Sequence, residues 1–171
     1  VTVHGRYAMQ YYKGASAPSA IARVKQAVGV PVIASGDLLD PTGIACVLGE
    51  TGADGAMVAR GARGNPWIFS RTHALLRGGV EVAAREPSAA ERVEMARRHT
   101  RGLAQVDGAS LMRMRQNLTG YFKGMPHASA YRARANTCET LAEFEALYDA
   151  VLADAADETG DTVQNGMGGC R

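Results

Sequence analysis

The chain has 171 residues, a formal net charge of +2 and 46% hydrophobic residues. A chain of this length and apolar content is expected to form one domain, or a small domain with an appendage, around an ordinary core. No apolar run in the sequence is long enough to cross a bilayer, so we expect no membrane partner. The small net charge does not by itself indicate a nucleic-acid-binding protein.

The three cysteines, Cys46, Cys138 and Cys170, lie far apart in the sequence. They form no Cys-x-x-Cys pair and no His/Cys metal spacing, and their odd number argues against a disulfide framework. None lies in the electropositive surroundings that activate a thiol. The sequence therefore predicts a cytoplasmic protein in a reducing compartment, with no metal site.

Residues 1–78 repeat a strand–helix pattern. The predicted strands are apolar throughout, which is typical of a parallel sheet that helices cover on both faces. The second and third strands are separated by about 25 residues, within the usual length of one βα unit. The predicted elements are strands at Thr2–Val3, Val30–Ala34 and Gly55–Ala59, with helices near Ser19–Val28, between the N-cap Asp40 and the C-cap Gly52, and from Pro66.

Three such strands cannot close a β/α barrel, which requires eight, and an open remnant would expose an apolar flank. The chain also begins at Val1 rather than at Met, inside a predicted strand. We therefore expect the chain to be the C-terminal fragment of a longer protein.

The second half of the chain predicts helices only. Residues 79–87 are interpreted as a linker because of their glycine and proline. Two capping boxes, Ser88–Glu91 and Thr140–Glu143, predict helix starts. The predicted helices run from Ser88 to about Val106, near Ala109–Lys123, near Ser129–Asn136 and onward from Thr140. Residues 157–171 contain scattered glycines and no apolar period, which predicts a disordered tail.

The loop Arg60–Gly64 follows the third predicted strand and is rich in glycine and arginine. Glycine lets the backbone approach an anion closely, so that several N–H groups can point at one phosphate, and an arginine fork can add two hydrogen bonds. Loops after the last strands of a β/α barrel often hold such a phosphate. The pattern favours a phosphate site, with an ordinary tight turn and a surface arginine as the alternative.

Two other strand ends carry candidate ligand-binding residues. Ser35-Gly36-Asp37 ends the second strand, where the glycine would let a flat ring or a ribose lie against the backbone. The aspartate would bind a hydroxyl group or merely cap the following turn. His4 ends the first strand and would donate to a cofactor ring or phosphate, or have a purely structural role.

Basic residues crowd the region between 92 and 134, whereas acidic residues gather after Glu139. Clustered arginine and lysine with nearby aromatic side chains can follow a nucleic-acid backbone. A solvated helical face is the alternative, because the aromatic residues have the spacing of a helix core. The basic residues are Arg92, Arg97, Arg98, Arg101, Arg113, Arg115, Lys123, Arg132 and Arg134.

The order of these motifs resembles the C-terminal half of bacterial tRNA-dihydrouridine synthases, and most of all their B-type branch. The resemblance covers roughly residues 1–152, and the motifs in this order are far more specific than any single glycine motif. The matching segments are Val3–Arg6, Val24-Lys25 with Pro31–Asp37, Thr51–Asp54 with Pro66–Phe69, Met114-Arg115, and Tyr121–Gly124.

The resemblance implies a fold and a function. The fold would be the last three βα units of a TIM (β/α)8 barrel in residues 1–78, followed by an all-helical tRNA-binding domain in residues 88–156. The family uses FMN, with NADPH or NADH as the source of hydride, to reduce the C5–C6 double bond of uridines in tRNA. The family's catalytic cysteine belongs to the first half of the barrel, so we expect no catalytic residue in this chain, and we expect a monomer.

The resemblance also implies which residues contact the ligands. Arg60 and its loop would hold the phosphate of FMN. The full set of FMN-contacting residues would be His4, Ser35, Gly36, Asp37, Ala59, Arg60 and Gly61. The tRNA-contacting residues would be Arg113, Arg115, Lys123, Arg132 and Arg134.

Some positions depart from the family pattern. Ser35 replaces an asparagine, Ala59 replaces the glycine before the arginine, and Gly120 stands where tryptophan is common. Gln116 and Asn117 replace lysine and histidine, which lowers the basic charge of their helix and predicts weaker contact with tRNA there.

Two alternatives stay open at this point. The first is another phosphate-binding β/α-barrel enzyme, such as a different FMN oxidoreductase or a sugar-phosphate isomerase, although such enzymes have no need of a basic helical extension. The second is a truncated product that binds RNA without catalysing a reaction.

Overall fold

A computed structural model of the chain describes residues 1–10, 13–106 and 111–164. The chain divides into two compact units, the first formed by residues 1–86 and the second beginning at Pro87. We call the first the sheet unit and the second the helical unit. The protein is thus a mostly helical α/β chain with one small parallel sheet in its described part.

The sheet unit contains three short parallel strands in the order β1-β2-β3. Val3 lies opposite Ala34, and Ala34 lies opposite Ala56. A helix follows each strand, so the carboxyl ends of the strands meet at one edge of the sheet. The elements are β1 (Thr2–His4), α1 (Pro18–Ala27), β2 (Ile33–Ser35), α2 (Pro41–Thr51), β3 (Gly55–Met57), α3 (Trp67–Leu76) and α4 (Val80–Ala84), with 3-10 turns at Ala8–Gln10 and Arg60–Ala62.

The strand positions differ from the predicted ones at their ends. β2 begins at Ile33 instead of Val30, since Pro31 has no N–H group and the Val32 N–H group donates to the Asp54 carboxylate (2.7 Å). β3 ends at Met57 instead of Ala59, because the chain then turns into the 3-10 turn.

Two clusters of buried apolar side chains hold the helices against the sheet. The first contains Ile21, Val32 and Ala34 and packs α1 against β2 and the residue before it. The second contains Leu38, Ile44 and Ile68 and packs α2 and α3 against the loop after β2.

Helix α2 has the ends that the sequence predicts. The Asp40 carboxylate accepts a hydrogen bond from the Gly43 N–H group (2.8 Å), and Pro41 occupies the first helical position. Gly52 ends the helix with a φ of 66°, in the left-handed region that glycine enters without strain.

Residues 79–87, predicted to be a linker, contain helix α4, which packs against α3. Ala83 is buried, its carbonyl accepts a hydrogen bond from Nε of Arg71 (2.7 Å), and Arg71 also forms an ion pair with Glu86 (2.6 Å). Contacts with α3 therefore order a segment whose glycines alone predict a flexible connection.

The helical unit contains four helices among its described residues: α5 (Ala89–Val106), α6 (Leu111–Tyr121), α7 (Ala128–Thr137) and α8 (Leu141–Gln164). Helix α5 packs on α6 and α8, and α7 packs on α6 and α8. The predicted capping boxes form: Ser88 and Glu91 exchange hydrogen bonds of 2.8 and 3.2 Å, and Thr140 and Glu143 exchange bonds of 2.9 and 3.3 Å. The core residues include Val93, Met114, Leu118, Phe122, Phe144, Leu147 and Tyr148.

Helix α8 continues to Gln164, beyond residue 157 where the sequence predicts a disordered tail. Ala153, Ala155 and Ala156 favour helix, and a helix that is already anchored by packing at Val151 can extend beyond its packed residues. The rest of that prediction, residues 165–171, lies outside the described residues.

Candidate functional site

A cleft of about 640 Å³ lies at the carboxyl ends of the three strands. Parallel α/β folds bind ligands at this edge because the loops that follow the strands converge there. Of the seven residues predicted to contact a cofactor, all except Gly61 line the cleft. The lining residues are Thr2, His4, Arg6, Ser35, Gly36, Asp37, Leu38, Leu39, Met57, Ala59 and Arg60.

The Asp37 carboxylate joins the loops that follow all three strands. Its Oδ2 atom accepts hydrogen bonds from the Ser16 N–H group (2.8 Å) and from Nη2 of Arg6 (2.5 Å). Its Oδ1 atom accepts a hydrogen bond from Nη2 of Arg60 (2.5 Å). The Ser16 N–H group, followed by the two guanidinium groups, holds the pKa of Asp37 below its ordinary value, although partial burial acts in the opposite direction. Asp37 is therefore ionised at neutral pH.

The backbone of this loop is held in an uncommon conformation. Gly36 has a φ of 116° and Asp37 a φ of 51°, both in the region that side chains disfavour. A Cβ atom on Gly36 would lie 2.4 Å from Oγ of Ser16. The sequence predicts that Gly36 admits a flat ligand, but the group that requires a glycine in this structure is the Ser16 side chain.

His4 and Ser35 lie opposite each other on β1 and β2. Nδ1 of His4 is 3.2 Å from Oγ of Ser35, within hydrogen-bond distance. Ser35 is only 6% exposed, so its hydroxyl group interacts with the imidazole ring and has little surface left for a ligand. The contact orients the ring and leaves Nε2 as the nitrogen that can reach a ligand in the cleft.

The loop after β3 differs from the phosphate-binding loop predicted from its glycines. The Ala62 and Arg63 N–H groups donate to the carbonyls of Ala59 and Arg60, each at 3.2 Å, and thus stabilise the 3-10 turn. These two N–H groups are not available to an anion. Arg60 is the arginine of this loop that lines the cleft, and its side chain is 52% exposed.

Gly61 has a packing role in this structure. A Cβ atom on Gly61 would lie 2.4 Å from the Leu38 carbonyl oxygen and 2.9 Å from Cδ1 of Ile68. The glycine therefore allows the loops after β2 and β3 to pack closely, which places Arg60 beside Asp37.

Two residues of the site, Arg6 and Ser16, were not predicted. Arg6 has a side chain that is 4% exposed, and its Nη2 atom also donates to the Gly14 carbonyl (2.8 Å). Arg6 follows the first predicted strand and Asp37 follows the second. This placement of opposite charges after two strands indicates that the two side chains can pair. Ser16 contributes a backbone N–H group, which no side-chain pattern reveals.

The residues predicted to contact tRNA lie in the helical unit and differ in exposure. Arg113, Lys123 and Arg134 are exposed, whereas Arg132 is half-buried. The exposed cations lie on α6, after its end and on α7, so they are accessible to a polyanion on this unit.

Arg115 and Arg92 instead bind carbonyl groups where helices end. Arg115 donates to the Cys138 carbonyl through Nη2 (2.9 Å) and Nε (3.3 Å). Arg92 donates to the carbonyls of Gly120 (3.0 Å) and Lys123 (2.6 Å). Cations at these positions stabilise helix C-termini, so both arginines have a structural role that the basic composition does not reveal.

Two more arginines of the basic region connect α5 to α8. Arg97 lies 2.7 Å from both Glu145 and Asp149, and Arg101 lies 2.7 Å from Glu145. Hydrogen bonding to Asp149 and the charges of the surrounding carboxylates raise the pKa of Arg97, although desolvation opposes this.

Among the side chains that the structure describes, no group of three or more His, Cys, Asp or Glu is placed to hold a metal ion. Among the helices that the structure describes, none combines the length and apolar character needed to cross a bilayer.

The fold and the cleft define an α/β protein whose sheet presents a cleft with two arginines, Arg6 and Arg60, at the carboxyl ends of its strands. The sequence profile of the dihydrouridine synthase (Dus) family matches residues 1–157. The chain belongs to this family.

Individual relatives agree with this assignment. The chain is 35% identical over 153 residues to "Probable tRNA-dihydrouridine synthase" of Rickettsia conorii, an alignment that covers 84% of the chain and 46% of the relative. It is 34% identical to "Probable tRNA-dihydrouridine synthase 1" of Synechocystis (91% and 43% covered) and 35% identical to "tRNA-dihydrouridine synthase B" of Xanthomonas axonopodis pv. citri (90% and 47% covered). The chain thus spans about half the length of the curated relatives it matches.

Proposed function

We propose that the chain is the C-terminal part of a tRNA-dihydrouridine synthase, which reduces the C5–C6 double bond of uridines in tRNA with FMN as cofactor and NADPH or NADH as hydride donor. The observation that carries the proposal is the family membership of residues 1–157 together with a cleft at the carboxyl ends of the strands. On this proposal the sheet unit supplies the last three βα units of a TIM barrel, and the helical unit binds tRNA.

The chemistry of the cleft suits a flavin phosphate. Two guanidinium groups, from Arg6 and Arg60, share the one Asp37 carboxylate, so these three side chains carry a net positive charge. Arginine binds phosphate with geometric specificity. Arg60 would contact the phosphate, and His4 would contact the cofactor through the ring nitrogen that Ser35 leaves available. FMN, when bound, would supply the redox chemistry, while the protein orients it.

In the family that the chain resembles, a catalytic cysteine protonates the uracil ring, and the described cysteines of this chain do not fit that role. Cys46 is exposed, and its hydrogen bond to Glu50 raises the pKa of its thiol. Cys138 is buried, and desolvation raises its pKa. Neither lines the cleft, so we propose that the proton donor comes from a part of the enzyme outside this chain.

The exposed cations of the helical unit support the proposed tRNA contact. Arg113 and Arg134 can neutralise phosphates, and such contacts weaken steeply as salt rises. Arg92, Arg97 and Arg115, by contrast, hold helices in place. We therefore propose that tRNA is bound by the exposed subset of the basic residues.

A first experiment tests the catalytic half of the proposal. The 171-residue chain is purified, titrated with FMN by flavin fluorescence, and assayed for dihydrouridine in tRNA with NADPH or NADH. We expect weak FMN binding and no reduction, because one side of the cofactor would lack protein. Stoichiometric FMN with uridine reduction would contradict the fragment proposal, whereas tRNA binding without any FMN binding would favour a non-catalytic RNA-binding product.

A second experiment tests the tRNA surface. In a gel-shift assay, the double variant Arg113→Glu/Arg134→Glu is compared with Arg23→Glu/Arg77→Glu, which changes the same charge on exposed positions of the sheet unit. We expect the first variant to weaken tRNA binding by at least about tenfold and to flatten its salt dependence. Equal losses in the two variants would argue against the helical unit as the tRNA site.

A further inference from the structure

The Asp37 carboxylate contacts the buried Arg6 guanidinium, the Ser16 N–H group and the exposed Arg60 guanidinium. Arg6 is nearly inaccessible, with 4% of its side chain exposed, and Ser16 contributes a backbone group that cannot move independently of the loop. The Asp37 side chain is 28% exposed and the Arg60 side chain 52%. The two less accessible partners thus contact the carboxylate, and the carboxylate in turn contacts the most exposed side chain of the set.

The hydrogen-bonding capacity of Asp37 is largely used by the protein. A carboxylate offers about four lone-pair sites, and the Ser16 N–H group, Arg6 and Arg60 occupy three of them. At most one lone-pair site of Asp37 is therefore left for a ligand hydroxyl group.

We propose that Asp37 is a positioning residue for Arg60, rather than the hydroxyl-binding residue that its place after β2 suggests. On this proposal, which rests on the proposed binding of an FMN phosphate in the cleft, Asp37 holds the Arg60 guanidinium at the ligand-facing surface before the cofactor arrives. Arg6 and the Ser16 N–H group hold Asp37 and offset the repulsion between its carboxylate and a phosphate.

The physical gain is pre-organisation. A long flexible side chain loses rotamer freedom when it is fixed on a ligand, and this loss weakens binding by about three- to tenfold for each such side chain. An arginine that is already held by a carboxylate has lost this freedom when the protein folds. The loss therefore does not weaken the binding of the ligand. Removing the carboxylate should therefore weaken FMN binding by about three- to tenfold, but only while Arg60 is present.

The first test is a double-mutant cycle on the 171-residue chain, with FMN affinity measured by flavin fluorescence. We expect Asp37→Asn to weaken FMN binding, and the double variant Asp37→Asn/Arg60→Ala to bind no more weakly than Arg60→Ala alone. Losses that add in the double variant would overturn the proposal, because Asp37 would then contact the ligand independently. Asp40→Asn is the matched control: it removes the same charge three residues away and keeps a residue that caps α2 well.

The second test needs no cofactor, so it separates this proposal from the flavin assignment. Rotation of the Arg60 guanidinium is followed by ¹⁵N NMR of its Nε and Nη groups. We expect slow rotation in the wild-type chain and in Asp40→Asn, and fast rotation in Asp37→Asn. Unchanged rotation in Asp37→Asn would overturn the proposal. If Arg60 rotates faster in Asp37→Asn but the wild-type chain binds no FMN, the result would support the positioning role of Asp37. It would count against the proposed flavin site instead.

A third variant is needed in case the Asp37→Asn chain misfolds, because Arg6 would lose its charged partner there. Asp37→Glu keeps the charge but moves it by one methylene group. We expect intermediate FMN affinity together with intermediate Arg60 rotation. Weaker FMN binding with wild-type Arg60 rotation would overturn the proposal in this variant as well.

Discussion

Nδ1 of His4 lies 3.2 Å from Oγ of Ser35, across the paired strands β1 and β2. Ser35 stands where the family pattern has asparagine. A serine at this position reaches the imidazole ring of the neighbouring strand.

Replacing Ser35 should release the His4 ring. We expect Ser35→Ala to mix the two tautomers of His4, which ¹⁵N NMR of the imidazole detects, and to weaken FMN binding by about fivefold, as the loss of one hydrogen bond implies. Thr42→Ala, at an exposed position of α2, is the control. An unchanged His4 spectrum in Ser35→Ala would mean that the ring is held by other groups.

Adding one methyl group at Gly61 should destabilise the sheet unit. The new Cβ would meet the Leu38 carbonyl oxygen at 2.4 Å, and overpacking of this kind costs about 1–3 kcal/mol. Gly49→Ala is the matched control, because nothing lies within 4 Å of that position in α2, and we expect it to stabilise by about 0.5–1 kcal/mol. Denaturant unfolding followed by the fluorescence of Trp67, the chain's one tryptophan, measures both. Equal effects would contradict the close approach of the two loops.

A buried pair of hydroxyl groups should matter to the helical unit. Thr100 donates to the Ala96 carbonyl (2.8 Å), so the Tyr148 hydroxyl must be the donor in its 2.6 Å contact with Thr100. Thr100→Val would leave Tyr148 without that acceptor and should cost about 1–3 kcal/mol of unfolding free energy, measured by circular dichroism. In Thr100→Val/Tyr148→Phe the loss should be smaller than the sum of the single losses. A strictly additive result would mean that the two groups do not interact.

The helical unit should lose stability in alkali. Burial raises the pKa of Tyr121 from 10.0 to about 12. A group with a raised folded-state pKa contributes stability that is complete below its unfolded pKa and is lost as pH rises to the folded value, so the window is pH 10 to 12. The loss attributable to Tyr121 should approach about 3 kcal/mol, and Tyr121→Phe should remove it. Tyr7→Phe, at an exposed tyrosine, should leave the pH dependence unchanged.

The sequence predicted features whose causes are local. The caps of α2 at Asp40 and Gly52, and the capping boxes at Ser88–Glu91 and Thr140–Glu143, are short-range hydrogen-bonding patterns and are present in the structure. The convergence of His4, Asp37 and Arg60 also followed from sequence, since parallel strands deliver their ends to one edge of a sheet.

Features that depend on contacts between distant segments were not predictable in the same way. Helix α4 forms because Arg71 and α3 hold it, and the Ser16 N–H group reaches Asp37 only after the loop before α1 folds back onto the sheet. The contact between Arg6 and Asp37 could be predicted only from the order of the strands, because opposite charges pair when the strands they follow are neighbours.

The arginines of the helical unit imply a pattern of tolerated exchange among related sequences. Arg92 and Arg115 each place more than one hydrogen bond on carbonyl groups, a geometry that the single ammonium group of lysine reproduces poorly. Arg113 and Arg134 are exposed, where either cation can meet a phosphate. Exchange between arginine and lysine should therefore be rare at positions 92 and 115 and common at positions 113 and 134 in related sequences. The frequency of exchange would then distinguish the arginines that stabilise the helical unit from those that would face RNA.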